Sequence, residues 1–144
     1  MKFQIYTIGK PKLKYALSGM QEYEERLRRQ VDLKIIPLKA KDESAELLAR
    51  SEGTYRIALD ERGKALSTDQ FVAMIDQLEN RGEIKSVAFL IGGADGHSQQ
   101  LRDECDVKIS LSSFTLQHEL ALVVLLEQIY RVYSIKRGEP YHRP

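Results

Sequence analysis

Three stretches of the chain combine residue types that could carry chemistry. The first is Gly92-Gly93-Ala94-Asp95-Gly96, with three glycines in five residues after an apolar segment. Glycine lets backbone approach a ligand closely, and a helix N-terminus that follows can receive an anion or a carboxylate. The run matches neither G-x-x-x-x-G-K-[ST] nor G-x-G-x-x-G, so it predicts neither a P-loop nor a standard dinucleotide site. Taken alone, it fits a structural turn equally well.

The second stretch is apolar and rich in hydroxyl groups. It consists of Leu111, Ser112, Ser113, Phe114, Thr115 and Leu116. The leucines and the phenylalanine could enclose a flat aromatic group while backbone N–H and C=O groups contact the edge of an adenine, as in many small-molecule sites. The alternative is that these apolar side chains only fill the core.

The third stretch is the C-terminal tail, Tyr141-His142-Arg143-Pro144. Tyrosine can stack on a base, histidine can take a proton near neutral pH, and arginine can hold phosphate or a developing anion. The alternative is a dispensable chain end.

The other candidate residues are interpreted as structural. We expect His97 to be exposed in the glycine run and His118 to be satisfied by packing. The single cysteine, Cys105, allows no internal disulfide and fits a reducing cytoplasm. No Cys/His cluster has zinc-ligand spacing, so no metal is expected.

The elements that must position these stretches alternate between strand and helix. Strands are predicted at 2–8, 33–38, 55–59, 87–91 and 107–110, and helices at 13–29, 42–52, 98–105 and 117–137. A further helix begins at a Ser67–Gln70 capping box and ends before Gly82. With no repeats and no linker, the chain is predicted to be a single α/β domain, 1–144, with a mainly parallel sheet flanked by helices.

In such a sheet, ligands bind where strands end. Three predicted loops leave strand ends, after Leu59, after Ile91 and after Ser110, and Asp60–Gly63 is expected to be loop. The segment 87–91 is apolar throughout, as in a central strand covered on both faces. Pro37 favours an edge position for the second strand.

The last helix bears on assembly. Residues 121–126 are apolar around the whole helix, and one sheet face covers only a stripe. This predicts a homodimer, the alternative being a helix at the centre of the monomer. The N-terminus lacks the apolar segment of a signal peptide, and the longest apolar run is too short to span a bilayer. We therefore expect a cytoplasmic protein without membrane attachment.

The formal net charge is +1, which does not suit a general nucleic-acid coat. Basic residues nevertheless concentrate near both chain ends: Lys2, Lys10, Lys12 and Lys14 at the start, and Arg131, Lys136, Arg137 and Arg143 at the end. This clustering fits either a solvated face or an RNA footprint.

The three stretches together resemble one family. Residues 89–96, Leu111 to Leu116 and the ending Pro140-Tyr141-His142-Arg143 are similar to the RlmH family of SPOUT-class methyltransferases. The resemblance covers the whole chain. It implies methylation of N3 of a pseudouridine in 23S ribosomal RNA of the assembled ribosome. It also implies a homodimer with a C-terminal trefoil knot, and S-adenosyl-L-methionine (SAM) as methyl donor without a metal.

The resemblance also implies site residues. Leu59, Gly92 and Leu111 to Leu116 would line the SAM site, and Gly93 and Gly96 would shape its loop. In the tail, we expect His142 to take the N3 proton, Arg143 to stabilise the developing negative charge and Tyr141 to position the ring.

Three alternatives stay open at this point. One is a SPOUT methyltransferase acting on tRNA or on another rRNA position. The second is a non-enzymatic nucleotide-binding module with a flavodoxin-like sheet. The third is a structural dimer associated with the ribosome.

Overall fold

The computed structural model describes Met1–Pro144 and contains five strands and five helices. The strands are β1 (Lys2–Ile8), β2 (Asp32–Leu38), β3 (Tyr55–Ala65), β4 (Ser86–Ile91) and β5 (Val107–Ser110). The helices are α1 (Lys14–Leu27), α2 (Glu43–Arg50), α3 (Thr68–Glu79), α4 (Gln99–Glu104) and α5 (His118–Lys136). The predicted order of elements is therefore confirmed.

The five strands form one parallel sheet in the order β2-β1-β4-β3-β5. The central strand is β4, whose residues 87–91 are all buried, as the uninterrupted apolar run predicts. Pro37 lies in β2, which is an edge strand, where its missing N–H costs no ladder hydrogen bond. All strands run the same way, so all five carboxyl ends lie at one edge of the sheet.

Helices cover both faces of the sheet. Helices α1, α3 and α5 pack with Phe3, Ile57 and Phe89 in the larger core, on one face. Helices α2 and α4 cover the other face, where Tyr6, Leu90 and neighbouring apolar residues form a smaller core. The predicted capping box starts α3: Ser67 Oγ accepts from the Gln70 N–H at 3.1 Å, and the Gln70 side chain accepts from the Ser67 N–H at 2.9 Å.

The structure corrects the end of β3. We expected the strand to stop at Leu59 and Asp60–Gly63 to be loop, but β3 continues to Ala65. Its pairing with β5 shifts between Leu59 and Lys64, both of which lie opposite Ile109. The chain thus leaves the ladder after Leu59 and rejoins it at Lys64, a bulge that polar residues in sequence do not reveal.

Helix α5 is covered less evenly than its apolar sequence suggests. Leu122, Leu125 and Leu126 are buried in the larger core. Val123 faces α1, since a Cβ added at Gly19 would lie 3.0 Å from its Cγ1. Val124 is only partly buried within the single chain. No helix is both long enough and apolar enough to cross a membrane.

The close approach of β3 to β5 leads to a test of stability. A Cβ at Gly63 would lie 2.7 Å from the backbone of Lys108 and Ile109, whereas a Cβ at Gly82 meets no atom within 4 Å. We expect Gly63→Ala to lower the free energy of unfolding by about 1–3 kcal/mol, because rigid backbone must move. Gly82→Ala should stay within about 0.5 kcal/mol of the wild type. Urea unfolding followed by circular dichroism measures both, and equal stabilities would contradict the contact.

Candidate functional site

A cavity of about 270 Å³ lies at the carboxyl edge of the sheet. Its wall comprises residues 59–62 in the bulge of β3, 91–97 at the end of β4, 110–112 and 114–116 at the end of β5, and residues 118 and 121 of α5. The volume is near the lower end of the range for small-molecule sites, roughly 300–1,000 Å³. Three loops distant in sequence therefore meet in one pocket.

Nine of the ten predicted cofactor-site residues line this cavity, and Ser113 is the exception. The nine are Leu59, Gly92, Gly93, Gly96, Leu111, Ser112, Phe114, Thr115 and Leu116. Gly96 has a positive φ of +73°, a conformation that favours glycine. Gly92 is confined as well, because an added Cβ would lie 3.1 Å from the carbonyl carbon of Gly96.

Sequence reasoning missed the charged part of the wall. Asp60, Glu61, Arg62 and Asp95 all face the cavity, so carboxylates outnumber guanidinium groups there by three to one. Their position directly after strand ends was the available signal. Such a wall favours a ligand that carries positive charge.

Asp60 is the most buried of these carboxylates, with a side chain only 4% exposed. Burial alone would raise its pKa, but hydrogen bonds from the backbone and side chain of Arg62 and the nearby charge of Arg102 lower that pKa below its ordinary value. Asp60 is therefore ionised in the pocket wall, and its charge is balanced by Arg62 and Arg102.

The expectation for His97 is wrong: the residue is 8% exposed and lies behind the glycine loop. Its Nε2 lies 3.0 Å from the Leu90 carbonyl oxygen. A carbonyl can only accept, so Nε2 carries a proton, and Nδ1 has no partner. Burial lowers the pKa of His97 against the opposing effect of the bond to Leu90. A neutral imidazole thus connects the glycine loop to the central strand.

Side-chain contacts hold the third loop in place. The Thr115 hydroxyl donates to Glu61 Oε2 at 2.7 Å, which joins the loop after β5 to the bulge of β3. The Ser110 hydroxyl donates to the Ser112 carbonyl at 2.7 Å. Phe114 lies at the rim with 83% of its surface exposed, the most exposed large apolar side chain in the chain.

The tail does not reach this cavity within its own chain. The Tyr141 ring packs edge-on against Tyr130 with 4.8 Å between centroids, and its hydroxyl is 3.3 Å from that of Tyr23. Ala121 is the later of the two pocket residues of α5, and Tyr130 follows it by about nine residues, or about 13 Å along the helix axis. Tyr141, His142 and Arg143 are therefore separated from the pocket of the same subunit.

Arg131 holds the docked tail. Its guanidinium lies 4.8 Å from the centroid of the Tyr141 ring, and its Nη1 is 3.0 Å from His142 Nδ1. Arginine is always protonated, so the Nδ1 lone pair accepts this hydrogen bond. Burial raises the pKa of Tyr141 to about 12, with help from the bond to Tyr23, which keeps the phenol neutral.

Of the remaining candidate residues, His118 differs from the expectation and Cys105 agrees with it. His118 is not packed away as expected: its side chain is 34% exposed at the pocket wall. Cys105 is buried, as a structural residue would be, and burial raises the pKa of its thiol to about 11. No group of three or more His, Cys, Asp or Glu side chains is arranged to hold a metal ion.

Comparison with known proteins supports the family. The family model described as "Predicted SPOUT methyltransferase" matches residues 1–142. A relative from Thermus thermophilus, named ribosomal RNA large subunit methyltransferase H, is 44% identical over 144 residues and covers all of both chains. A relative of the same name from Deinococcus radiodurans is 41% identical over 99% of both chains.

Solved structures show a similar fold at low sequence identity. A probable methylase family protein from Haemophilus influenzae superposes with a TM-score of 0.58 at 8% identity, over 99% of this chain and 70% of the other. TrmJ from Z. mobilis gives 0.54 at 13% identity, over 100% and 72%. The sheet and its helices are thus those of known methyltransferase structures.

The buried imidazole leads to a prediction about pH. Because the fold lowers the pKa of His97, the unfolded chain binds this proton more readily, and stability should decline as pH falls below about 6.5. Asp60 and Arg102 are the charged groups facing the ring. We expect His97→Gln, which keeps a donor for Leu90 but cannot titrate, to reduce this decline. Thermal unfolding from about pH 7.5 to about pH 5 measures it.

The matched control is His118→Gln, because His118 is partly exposed. The stability of this variant should depend on pH in the same way as that of the wild type. If His97→Gln loses stability at low pH as steeply as the wild type does, His97 does not carry the effect.

Proposed function

Because the chain belongs to the SPOUT methyltransferase family, we propose that it transfers a methyl group from SAM to N3 of a pseudouridine in 23S ribosomal RNA of the assembled ribosome. The observation that carries this proposal is the end-to-end match, at 44% identity, to a relative named for methylating large-subunit ribosomal RNA. The resemblance of the glycine run, the third loop and the tail to the RlmH family narrows the acceptor to a pseudouridine.

The cavity suits SAM in shape. Leu59, Ile91, Leu111 and Leu116 supply apolar walls for an adenine ring, and strand ends leave backbone groups free to bond its edge. Gly92 lets the loop that borders the ligand fold tightly, because a Cβ there would press on Gly96. SAM supplies a methyl group on a sulfonium, which needs no metal in order to leave.

The cavity also suits SAM in charge. Asp60, Glu61 and Asp95 lie in the wall with Arg62, and Asp60 also pairs with Arg102. A sulfonium and an amino group are cationic, and the exposed carboxylates of Glu61 and Asp95 can attract such charge. A phosphate-bearing ligand would meet the opposite balance, which disfavours the nucleotide-binding module.

The tail residues are proposed to act on the acceptor base. His142 takes the imide proton, Arg143 stabilises the developing negative charge, and Tyr141 positions the ring. In the docked arrangement Arg131 occupies the Nδ1 lone pair of His142. With Nδ1 accepting, the proton of the neutral ring lies on Nε2, so neither nitrogen is free to take another. His142 must therefore leave Arg131 before it can act as a base.

The distance between tail and pocket supports a site shared between two subunits. The pocket lies at the start of α5 and the tail packs near its end. A two-fold axis crossing α5 would place the tail of one copy beside the pocket of the other. Leu13 and Tyr15, 40% and 54% exposed, and the half-buried Val124 provide apolar surface for such a dimer. A ribosomal substrate also implies work in the cytoplasm.

The reaction can be tested on ribosomes that lack the modification. We expect labelled methyl to pass from SAM to these ribosomes, with mass spectrometry locating it on N3 of a pseudouridine. Transfer to tRNA instead would support methyltransferase activity but contradict the proposed ribosomal acceptor. An absence of SAM binding in calorimetry would overturn the enzyme and favour a structural dimer.

The shared site can be tested with mixed dimers. One subunit carries Gly92→Val, which crowds Gly96 and His97 and so distorts the glycine loop of the pocket, and the other lacks residues 141–144. Each parent dimer should be inactive, because every site lacks one part. The mixed dimer should recover about half of the wild-type activity, since one intact pocket meets one intact tail. If the mixed dimer forms from folded subunits but is inactive, the tail does not act on the pocket of the partner subunit, and the shared site is wrong.

A further inference from the structure

We propose that five lysines beside the pocket, Lys10, Lys12, Lys14, Lys39 and Lys41, form a surface that binds the phosphate backbone of the ribosomal RNA. This inference rests on the proposed function, because it names the part of the chain that holds the RNA. The five residues are called the edge lysines below.

Four of the edge lysines lie on two neighbouring loops, and Lys14 is the first residue of α1. Strands β1 and β2 are paired along their whole length and end side by side at Ile8 and Leu38. The Gly9 N–H donates to the Leu38 carbonyl at 2.8 Å, so the two chains leave the sheet together. Since the sheet is parallel, these loops emerge at the same edge as the pocket.

The first loop is fixed to the pocket-lining helix. Glu119 Oε1 accepts from the backbone N–H groups of Lys12 and Leu13, at 2.8 and 2.9 Å. Glu119 follows His118, which lines the cavity. This carboxylate accepts hydrogen bonds from the free backbone N–H groups at the start of α1. The side chains of the neighbouring lysines are not used in these bonds and can contact RNA.

The second loop is fixed to the glycine loop. The Ser98 N–H donates to Ser44 Oγ at 2.9 Å, immediately after the glycine run. The Glu43 carboxylate lies over Gly93, with Oε1 2.8 Å from the position of an added Cβ. The two loops are therefore held close to the cavity, the first through Glu119 beside the pocket residue His118 and the second through Glu43 beside the pocket residue Gly93.

The edge lysines have no acidic partners. All five residues are exposed, and none takes part in an ion pair. The nearest acid in sequence, Asp42, caps α2 by accepting from the Ala45 N–H at 3.1 Å. Most arginines, in contrast, pair with carboxylates, as Arg26 does with Glu22. Five unpaired lysines are thus gathered at this edge beside the pocket, whereas the other unpaired lysines, among them Lys2, Lys34 and Lys85, lie elsewhere on the surface.

Unpaired ammonium groups in a row suit an RNA backbone. Phosphate contacts release counterions, so affinity falls with salt in proportion to the number of phosphates neutralised. Lysine contributes a point charge without base specificity. A chain of net charge +1 would in this way direct RNA to one edge, where the target base can enter the pocket.

The test uses the full-length protein and a matched pair of triple variants. The first is Lys10→Gln, Lys12→Gln and Lys39→Gln. The control is Lys2→Gln, Lys34→Gln and Lys85→Gln, which removes the same charge from exposed positions toward the opposite, amino-terminal part of the sheet. Both triples leave the backbone bonds to Glu119 intact. SAM affinity by calorimetry checks that the pocket is unchanged.

Direct binding of labelled protein to ribosomes is measured across a potassium chloride series, together with methyl transfer. We expect the edge variant to bind ribosomes on the order of tenfold more weakly at low salt, with a salt slope smaller by about 2. Its SAM affinity and its kcat at saturating ribosomes should stay within about twofold of the wild type, and the control triple should match the wild type throughout.

Equal weakening of the control, or an unchanged salt slope in the edge variant, would overturn the surface. The binding readout separates this inference from the reaction. If the wild type transfers no methyl to ribosomes but the edge variant alone loses affinity, the proposed function fails and the surface stands. If methyl transfer proceeds and both triple variants bind ribosomes alike, the proposed function stands and the lysine surface fails.

Discussion

Burial of β4 on both faces is the constraint on which the site depends. A strand whose residues 87–91 are all buried must lie inside a parallel sheet, and such a sheet places its strand ends at one edge. The turn that follows is tight, because a Cβ at Gly92 would lie 3.1 Å from the carbonyl carbon of Gly96. His97 closes behind it and bonds back to Leu90 of the same strand. The central strand and the glycine loop are therefore one unit.

Strong periodicity made most of the fold predictable. All five strands, the capping box at Ser67 and the three strand ends that border the cavity follow from apolar pattern, turn residues and the rule that ligands bind at strand ends. The family resemblance added the individual cofactor-site residues, nine of ten of which line the cavity, together with the expectations of SAM, the acceptor and the knot. Apolar periodicity could not supply a knot, because general topology rules make knots almost absent.

The failures have a common physical cause, which is that they depend on contacts between distant segments. The continuation of β3 depends on Gly63 meeting the backbone of β5, far along the chain. The burial of His97 depends on the carbonyl of Leu90 and on the walls around it. The position of the tail depends on Tyr23, in the first helix. None of these partners can be identified from local pattern.

Helix α5 joins the two halves of the proposed chemistry. Its first turn lines the cavity and, through Glu119, orders the start of α1. Its later turns carry Tyr130 and Arg131, on which the tail rests. A rigid helix keeps these ends apart, so the tail cannot meet the pocket of its own chain while it rests on Tyr130 and Arg131. In the proposed dimer, a second copy in the opposite direction would bring them together with the helices unchanged. Dimerisation would then be part of the active site, and the polar tail contacts would hold His142 away from reaction until RNA arrives.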